Sequence, residues 1–339
     1  GTRKSGMDLE ISLCYSYNGD KENIMQEGGL RMVKAKVSTW QAFRKAFARD
    51  KYLYLMFLLP FLFYLIFHYL PMYGITLAFK DYIIKQGIWG SDWVGLKYIE
   101  RFIGDPYFWQ VFKNTIVLNV YNLLWSFPVP IILALMLNEV THTKFKKMVQ
   151  TISYLPHFLS VVVVVGMLNT FLSSNGVINE FLGIFGLGPY SFLAEPKYFR
   201  TVYIASGIWQ SAGWGSIIYL SALSAVEQEL YEAAQIDGAN RWQQMLHVTL
   251  PGIAPTITIM FILETGNIMN VSFQKILLLM TSSNQVISDV ISTYVYRIGI
   301  QDANFSYATG IGLFQSLVAL IFVTTANFIS RRVGETSLW

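Results

Sequence analysis

Apolar residues in this chain run in blocks of about 20 or more instead of scattering. Six such blocks stand out: about Tyr52–Phe79, Asn114–Leu137, Met148–Leu172, Tyr198–Leu223, Pro251–Met280 and Phe305–Ile329. Wound as a helix, a run of this length spans the roughly 30 Å of a bilayer's hydrocarbon core. The pattern therefore predicts an all-α membrane protein with six transmembrane helices. Pro60, Pro71, Pro128, Pro130 and Pro156 fall inside these blocks, where membrane helices tolerate proline if neighbours satisfy the freed carbonyls. Residues 36–51 place Trp40, Phe43 and Phe47 at helical spacing among Arg44, Lys45, Arg49 and Lys51. That combination predicts a short amphipathic helix on the inner membrane surface. Residues 1–31 carry no sustained period and read as disordered or as partly an expression scar. The expected organisation is an N-terminal segment 1–51, a transmembrane domain 52–330 interrupted by a polar loop at 224–250, and a tail 331–339.

Composition supports the membrane reading. Only 14% of residues are charged and 53% are hydrophobic, with mean hydropathy +0.41. That is too little charge to cover a soluble globule of this size. Lys and Arg sort by side. Segments 1–51, 138–147, 224–250 and 331–339 together hold 16, whereas 80–112, 173–198 and 281–304 hold six. The positive-inside rule makes the first set cytoplasmic, with both termini inside. The net charge of +4 is accounted for in this way. No basic stripe interleaved with aromatics points to nucleic acid. Cys14 is the only cysteine, and His68, His142, His157 and His247 are scattered, so neither a metal site nor a disulfide is expected. Ser153 and His157 are one helical turn apart but lack a G-x-S-x-G context, and no catalytic residue is expected. No P-loop occurs, so any energy source lies in another chain.

The polar loop at 224–250 is the most informative stretch. Val226–Ile236 reads as a short helix with Glu227, Glu229 and Glu232 early, where carboxylates favour the positive dipole end. Asp237-Gly238 is a turn signal, with Asp available to cap the next helix. A second helix is expected over about Ala239–Thr249, ending at Pro251. The run Glu232-Ala233-Ala234-Gln235-Ile236-Asp237-Gly238-Ala239, followed by Val248-Thr249-Leu250-Pro251, resembles the cytoplasmic "EAA" loop of bacterial binding-protein-dependent ABC importer permeases. That resemblance, covering roughly residues 50–335, implies a type I importer architecture in which this loop is a coupling helix. Glu232 would pair with a basic group on an ATPase subunit and Gly238 would form the tight turn. Ala233, Ala234, Asp237 and Ala239 would seat the helix, while Leu250 and Pro251 would start the next span.

The resemblance also implies partners: a second homologous permease, two ATP-binding cassette subunits that bind the ATP and Mg, and an extracytoplasmic solute-binding protein, all at the bacterial inner membrane. Segments such as Trp93-Val94-Gly95-Leu96, Tyr154-Leu155-Pro156-His157-Phe158 and Glu335-Thr336-Ser337-Leu338-Trp339 resemble permeases for rhamnogalacturonan and alginate oligosaccharides. Polar residues inside spans are costly and so are functional candidates. Here they are Asn119 and Asn122; Trp209, Gln210 and Trp214; Glu264, Asn267 and Asn270; and Gln315. On a continuous helix Glu264, Asn267 and Asn270 would share about one face. The competing use for such residues is helix–helix adhesion. Competing functions are an importer permease for amino acids or peptides, a polytopic membrane enzyme, and a secondary transporter.

Overall fold

The computed structural model describes residues 49–333 together with Trp40 and Phe47. Most of the amphipathic helix expected at 36–51, all of segment 1–31 and residues 334–339 lie outside the described residues. The chain divides into two compact units, residues up to Tyr73 and from Gly74 onward. In the first, helix α1 (Lys51–Tyr64) continues through a π turn at Leu65–Tyr69. Its side chains are exposed almost throughout, as expected of a helix whose solvent is lipid.

The second unit is a helical assembly whose strands are one two-residue antiparallel pair, Lys80–Asp81 with Asp92–Trp93. Helix α2 (Phe108–Ser126) runs into α3 (Pro128–Glu139), with Pro128 at the first turn, where its missing N–H costs nothing. Then come α4 (Thr143–Tyr154), α5 (Val161–Phe171), α6 (Pro196–Ser224), α7 (Gln228–Ile236), α8 (Arg241–Gln244), α9 (Leu250–Gly266), α10 (Phe273–Leu279), α11 (Ile291–Tyr296) and α12 (Phe305–Val333).

Among the described residues, four helical runs are long and apolar enough to cross a membrane: Lys51–Phe79, Phe108–Glu139, Arg241–Gly266 and Phe305–Arg332. A fifth is Thr143–Phe158 with Val161–Phe171, bent by 100° between its halves. Helix α6, with 29 residues, is about 43 Å long. Its Ser, Gly, Gln and Trp residues keep it less apolar than the others. The fifth apolar block departs most from expectation. Its helix stops at Gly266 instead of continuing to Met280, and α10 follows only after a break at 267–272.

Three apolar clusters hold the second unit together. One joins Phe102, Phe108 and Val111 to Ile291, Tyr294, Tyr307 and Ile311. Another joins Leu118, Val165, Tyr203 and Ile276, and a third joins Ala134, Tyr219, Leu223 and Ile253. Close backbone approach is confined to few glycines. A Cβ at Gly213 on α6 would overlap the Ser153 carbonyl of α4, whereas Gly166 and Gly312 have open space around them.

The segment expected as a plain polar outer loop, 281–304, is built around a buried acid. Asp289 is wholly buried. It accepts hydrogen bonds from Arg297 Nη2 at 2.5 Å, Tyr107 OH at 2.7 Å and Thr293 Oγ1 at 2.6 Å. Burial, and then the bond to Asp289, push the Tyr107 hydroxyl up to about 12, so it stays a donor at physiological pH. Removing one member of such a network leaves its partners desolvated and unpaired. Asp289→Ala is therefore expected to lower stability by about 3 kcal/mol, read as an earlier unfolding midpoint of the detergent-purified protein. Asp81→Ala breaks only the exposed Lys97–Asp81 pair and a bond from Tyr98, and is expected to shift the midpoint much less.

Candidate functional site

The polar loop at 224–250 folds as a rigid elbow. Helix α7 ends at Asp237, and Gly238 follows with φ +78°, a left-handed conformation open to glycine without Cβ strain. Ala239 N donates to Ala234 O at 2.9 Å and Gly238 N to Gln235 O at 3.0 Å. These bonds satisfy the last carbonyls of α7 in a Schellman turn. Asn240, not Asp237, caps the second arm. Its Oδ1 accepts from Gln243 N at 3.0 Å, and Gln243 Oε1 accepts from Asn240 N at 2.8 Å, a reciprocal capping box.

The second arm does not stop at Pro251 either. From Arg241 the helix runs through a π turn at Met245–Thr249 straight into α9. Within that turn Leu250 N bonds Met245 O. Pro251 has no N–H to give, and the wider turn before it accommodates the lost bond without ending the helix.

The two arms are tied to each other. Tyr231 OH on α7 lies 3.0 Å from Thr249 Oγ1, and Thr249 is buried at the base of α9. Gln244 Nε2 donates to Ala239 O at 2.9 Å. Val226 fills the space a Cβ at Gly252 would need. Arg241 pairs with Glu139 at the end of α3 at 3.4 Å. The outer surface of the elbow is unlike that of a solvated loop. Ile236 is 87% and Trp242 71% exposed, with Leu230 and Leu246 also exposed. Glu232, Ala233, Asp237 and Gly238 are exposed among them, while Ala234 and Ala239 are half-buried in the turn. Leu250 is half-buried and Pro251 exposed.

The intramembrane candidates separate into groups. Asn122 Nδ2 donates to Glu264 Oε1 at 3.5 Å, joining α2 to α9, and Asn122 Oδ1 accepts from Ser126 Oγ at 2.8 Å. Gln315 on α12 donates to Met269 O and to Asn270 Oδ1. Glu264, Asn267 and Asn270 do not share one helical face: Asn267 is the C-terminal cap of α9, and Asn270 lies in the break beyond it. Asn119 is buried, and its amide donates to Thr115 O in its own helix, which is adhesion within α2.

On α6, Gln210 Nε2 donates to Leu159 O at 2.9 Å, filling the bend between α4 and α5. Trp214 stacks on His157 with centroids 4.6 Å apart. Trp209 instead lines an apolar cavity of about 510 Å³ with Val164, Phe171 and Tyr198. Sequence reasoning did not single out Lys275 as a site residue. It is only 4% exposed, and its Nζ donates to Tyr203 O at 3.0 Å. A lone lysine in an apolar run was the signal that could have found it.

Comparison with known proteins agrees with this geometry. Residues 110–335 match the family model described as "Binding-protein-dependent transport system inner membrane component". The chain is 45% identical over 292 residues to the polygalacturonan/rhamnogalacturonan transport system permease protein YteP of Bacillus subtilis, covering 86% of this chain and 91% of that one. It is 41% identical over 309 residues to protein LplB of Bacillus subtilis, covering 91% and 96%. Among solved structures, a chain of a bacterial alginate ABC transporter, crystallised with an alginate pentasaccharide-bound periplasmic protein, superposes with TM-score 0.79 at 44% identity. That match covers 87% of this chain and 99% of the other. The fold is thus that of a type I ABC importer permease, and the chain belongs to the binding-protein-dependent transport system inner membrane component family, as a non-catalytic permease subunit.

Proposed function

We propose that this permease forms one half of the membrane pathway of an ATP-driven importer for acidic oligosaccharides, and that the elbow at 224–250 receives the drive. The observation that carries the cargo reading is the agreement of its relatives. One is named for polygalacturonan and rhamnogalacturonan. The superposable transporter is described as importing "the acidic polysaccharide alginate". Amino-acid or peptide cargo has no comparable support.

In this reading the elbow faces the cytosol, as do both termini. A second homologous permease completes the pathway, two ATP-binding cassette subunits bind ATP and Mg, and a solute-binding protein delivers cargo from outside. No metal, cofactor or nucleic acid enters the role of this chain. Exposed Ile236, Trp242 and Leu230 supply the apolar centre of the docking surface, and Glu232 beside them supplies a charge for a basic partner group. Displacement of α7 passes through the Tyr231–Thr249 bond and the π turn into α9, because no flexible joint intervenes. The spans then alternate between outward- and inward-open arrangements while substrate moves between the two permeases.

Three outcomes test this. Reconstituted with its partners in proteoliposomes, the wild-type importer is expected to take up a galacturonate trimer in preference to the carboxyl-reduced trimer. Equal uptake, or preference for a peptide, would defeat the cargo reading. Gly238→Val forces a β-branched residue into left-handed backbone at a cost of about 1–2 kcal/mol. It should weaken co-purification of the ATPase subunit and lower cargo-stimulated ATP turnover at least about tenfold; unchanged turnover would remove the elbow from coupling. Tyr231→Phe deletes one hydroxyl and no packing volume. It should leave the ATPase subunit bound but reduce substrate imported per ATP hydrolysed, measured by paired uptake and phosphate-release assays.

A further inference from the structure

Two helix interruptions of this protein converge on one face of α6, and that face carries cations without carboxylate partners. Arg200, Tyr203, Gly207, Gln210 and Trp214 follow one another at steps of three and four residues, which places them along one stripe of the helix. The stripe is about 21 Å long. The bend between α4 and α5 closes on its inner part, through Gln210 to Leu159 O and Trp214 on His157. The break at 267–272 closes on its outer part. There Ser272 N donates to Tyr203 OH at 3.1 Å, and Lys275 Nζ donates to Tyr203 O while lying 4.9 Å from the centre of the Tyr203 ring.

A Cβ at Gly207 would stand 3.5 Å from that Nζ, so the stripe has no side chain of its own over the ammonium. One turn outward, the buried Nε of Arg200 has no hydrogen-bond partner. Among the described residues neither Arg200 nor Lys275 makes an ion pair. Keeping a buried cation unneutralised costs stability. Adhesion between helices does not require charge, since an amide or a methionine would serve. Broken backbone at membrane depth, for its part, occurs where it is buried in protein or lines a watery cavity.

We propose that this face of α6 is the carboxylate-recognising wall of the translocation path, with Lys275 and Arg200 as specificity-determining cations for uronate-bearing sugars. The inference rests on the acidic-oligosaccharide reading above and adds the residues that enforce it. In the arrangement described here Lys275 is covered, so its charge acts on cargo when the two breaks part and Gly207 leaves the ammonium accessible. Tyr203 holds the ammonium by its carbonyl and ring, neither of which neutralises it. Trp214, on the same stripe, offers the flat surface that sugar C–H faces need.

The test uses the whole importer in proteoliposomes, with the galacturonate trimer and its carboxyl-reduced counterpart as paired cargoes. Lys275→Met removes the charge at similar volume. Gly207→Asp keeps the lysine but sets a carboxylate beside it. Each is expected to lower uptake of the acidic trimer about tenfold or more and to change uptake of the reduced trimer less than about twofold. Arg200→Met should act in the same direction. If Lys275→Met does not assemble, Gly207→Asp decides the matter. Parallel loss on both cargoes assigns these residues to packing and overturns the proposal, as does acidic uptake left intact. A wild-type importer without preference for the acidic trimer overturns the cargo reading and this proposal together. A wild type with that preference, retained by the variants, overturns this proposal alone.

Discussion

Hydrocarbon offers no hydrogen bonds, so every helix interruption in a membrane protein must find its partners inside the protein. Much of this structure follows from that constraint. The bend after Phe158 frees the Leu159 carbonyl, and Gln210 of α6 supplies the donor. The break after Gly266 frees the Met269 carbonyl, and Gln315 of α12 supplies the donor. Beyond α10, the Val286 and Asp289 carbonyls are both met by the Asn114 amide of α2. Asn284 answers the Leu193 and Leu279 carbonyls in the same way. Amide side chains at membrane depth here work largely as replacements for missing helical donors. Through Gln210, Gln315 and Asn114 that function binds irregular segments to α6, α12 and α2.

The elbow solves a different problem with similar means. A protruding loop in the coupling role proposed above must not bend at its tip or at its root. The tip is fixed by complementary terminations, a Schellman turn through Gly238 and a capping box through Asn240 and Gln243. Each is worth about 1 kcal/mol in isolation, and together they give partners to the Gly238, Ala239, Asn240 and Gln243 N–H groups. The root is fixed by Tyr231 on Thr249 and by Val226 against Gly252. The exposed Ile236 and Trp242 are left for a partner to cover.

What the sequence disclosed, and what it hid, follows the same division. The elbow was legible because its constraints are local: a glycine with a left-handed backbone and a fixed spacing to Leu250-Pro251, although the cap read as Asp237 is Asn240. The apolar blocks were legible as membrane material because hydropathy adds along the chain. Breaks were not legible, because an apolar run sums to the same value whether it is straight, bent by 100° at Leu159, or interrupted at 267–272. Pro251 read as a stop because proline usually ends a helix; the π turn that absorbs it depends on how Met245–Thr249 packs. Asp289 read as one more polar residue of an outer loop. Its burial depends on Tyr107, which lies 182 positions away along the chain, and no local pattern encodes that.

The breaks also decide what motion of the elbow can do. A straight helix from Arg241 to Met280 would carry displacement of the elbow along its whole length as one rod, tilting as a whole. The observed helix ends at Gly266, and the six residues beyond it keep only three-residue turn bonds, from Asn267, Ile268 and Asn270, before α10 begins. Movement of α9 in the proposed role would reach the segment bearing Asn267 and Asn270, while α10 is tied to α6 through Tyr203. In the coupling role proposed above, one side of the break is driven and the other is anchored, which would make 267–272 the place where displacement becomes a change of shape. Glu264 and Asn122, one turn before the break, couple that change to α2. A hinge positioned there would open or close beside the α6 stripe, so the interruption would give the proposed coupling elbow something to act upon.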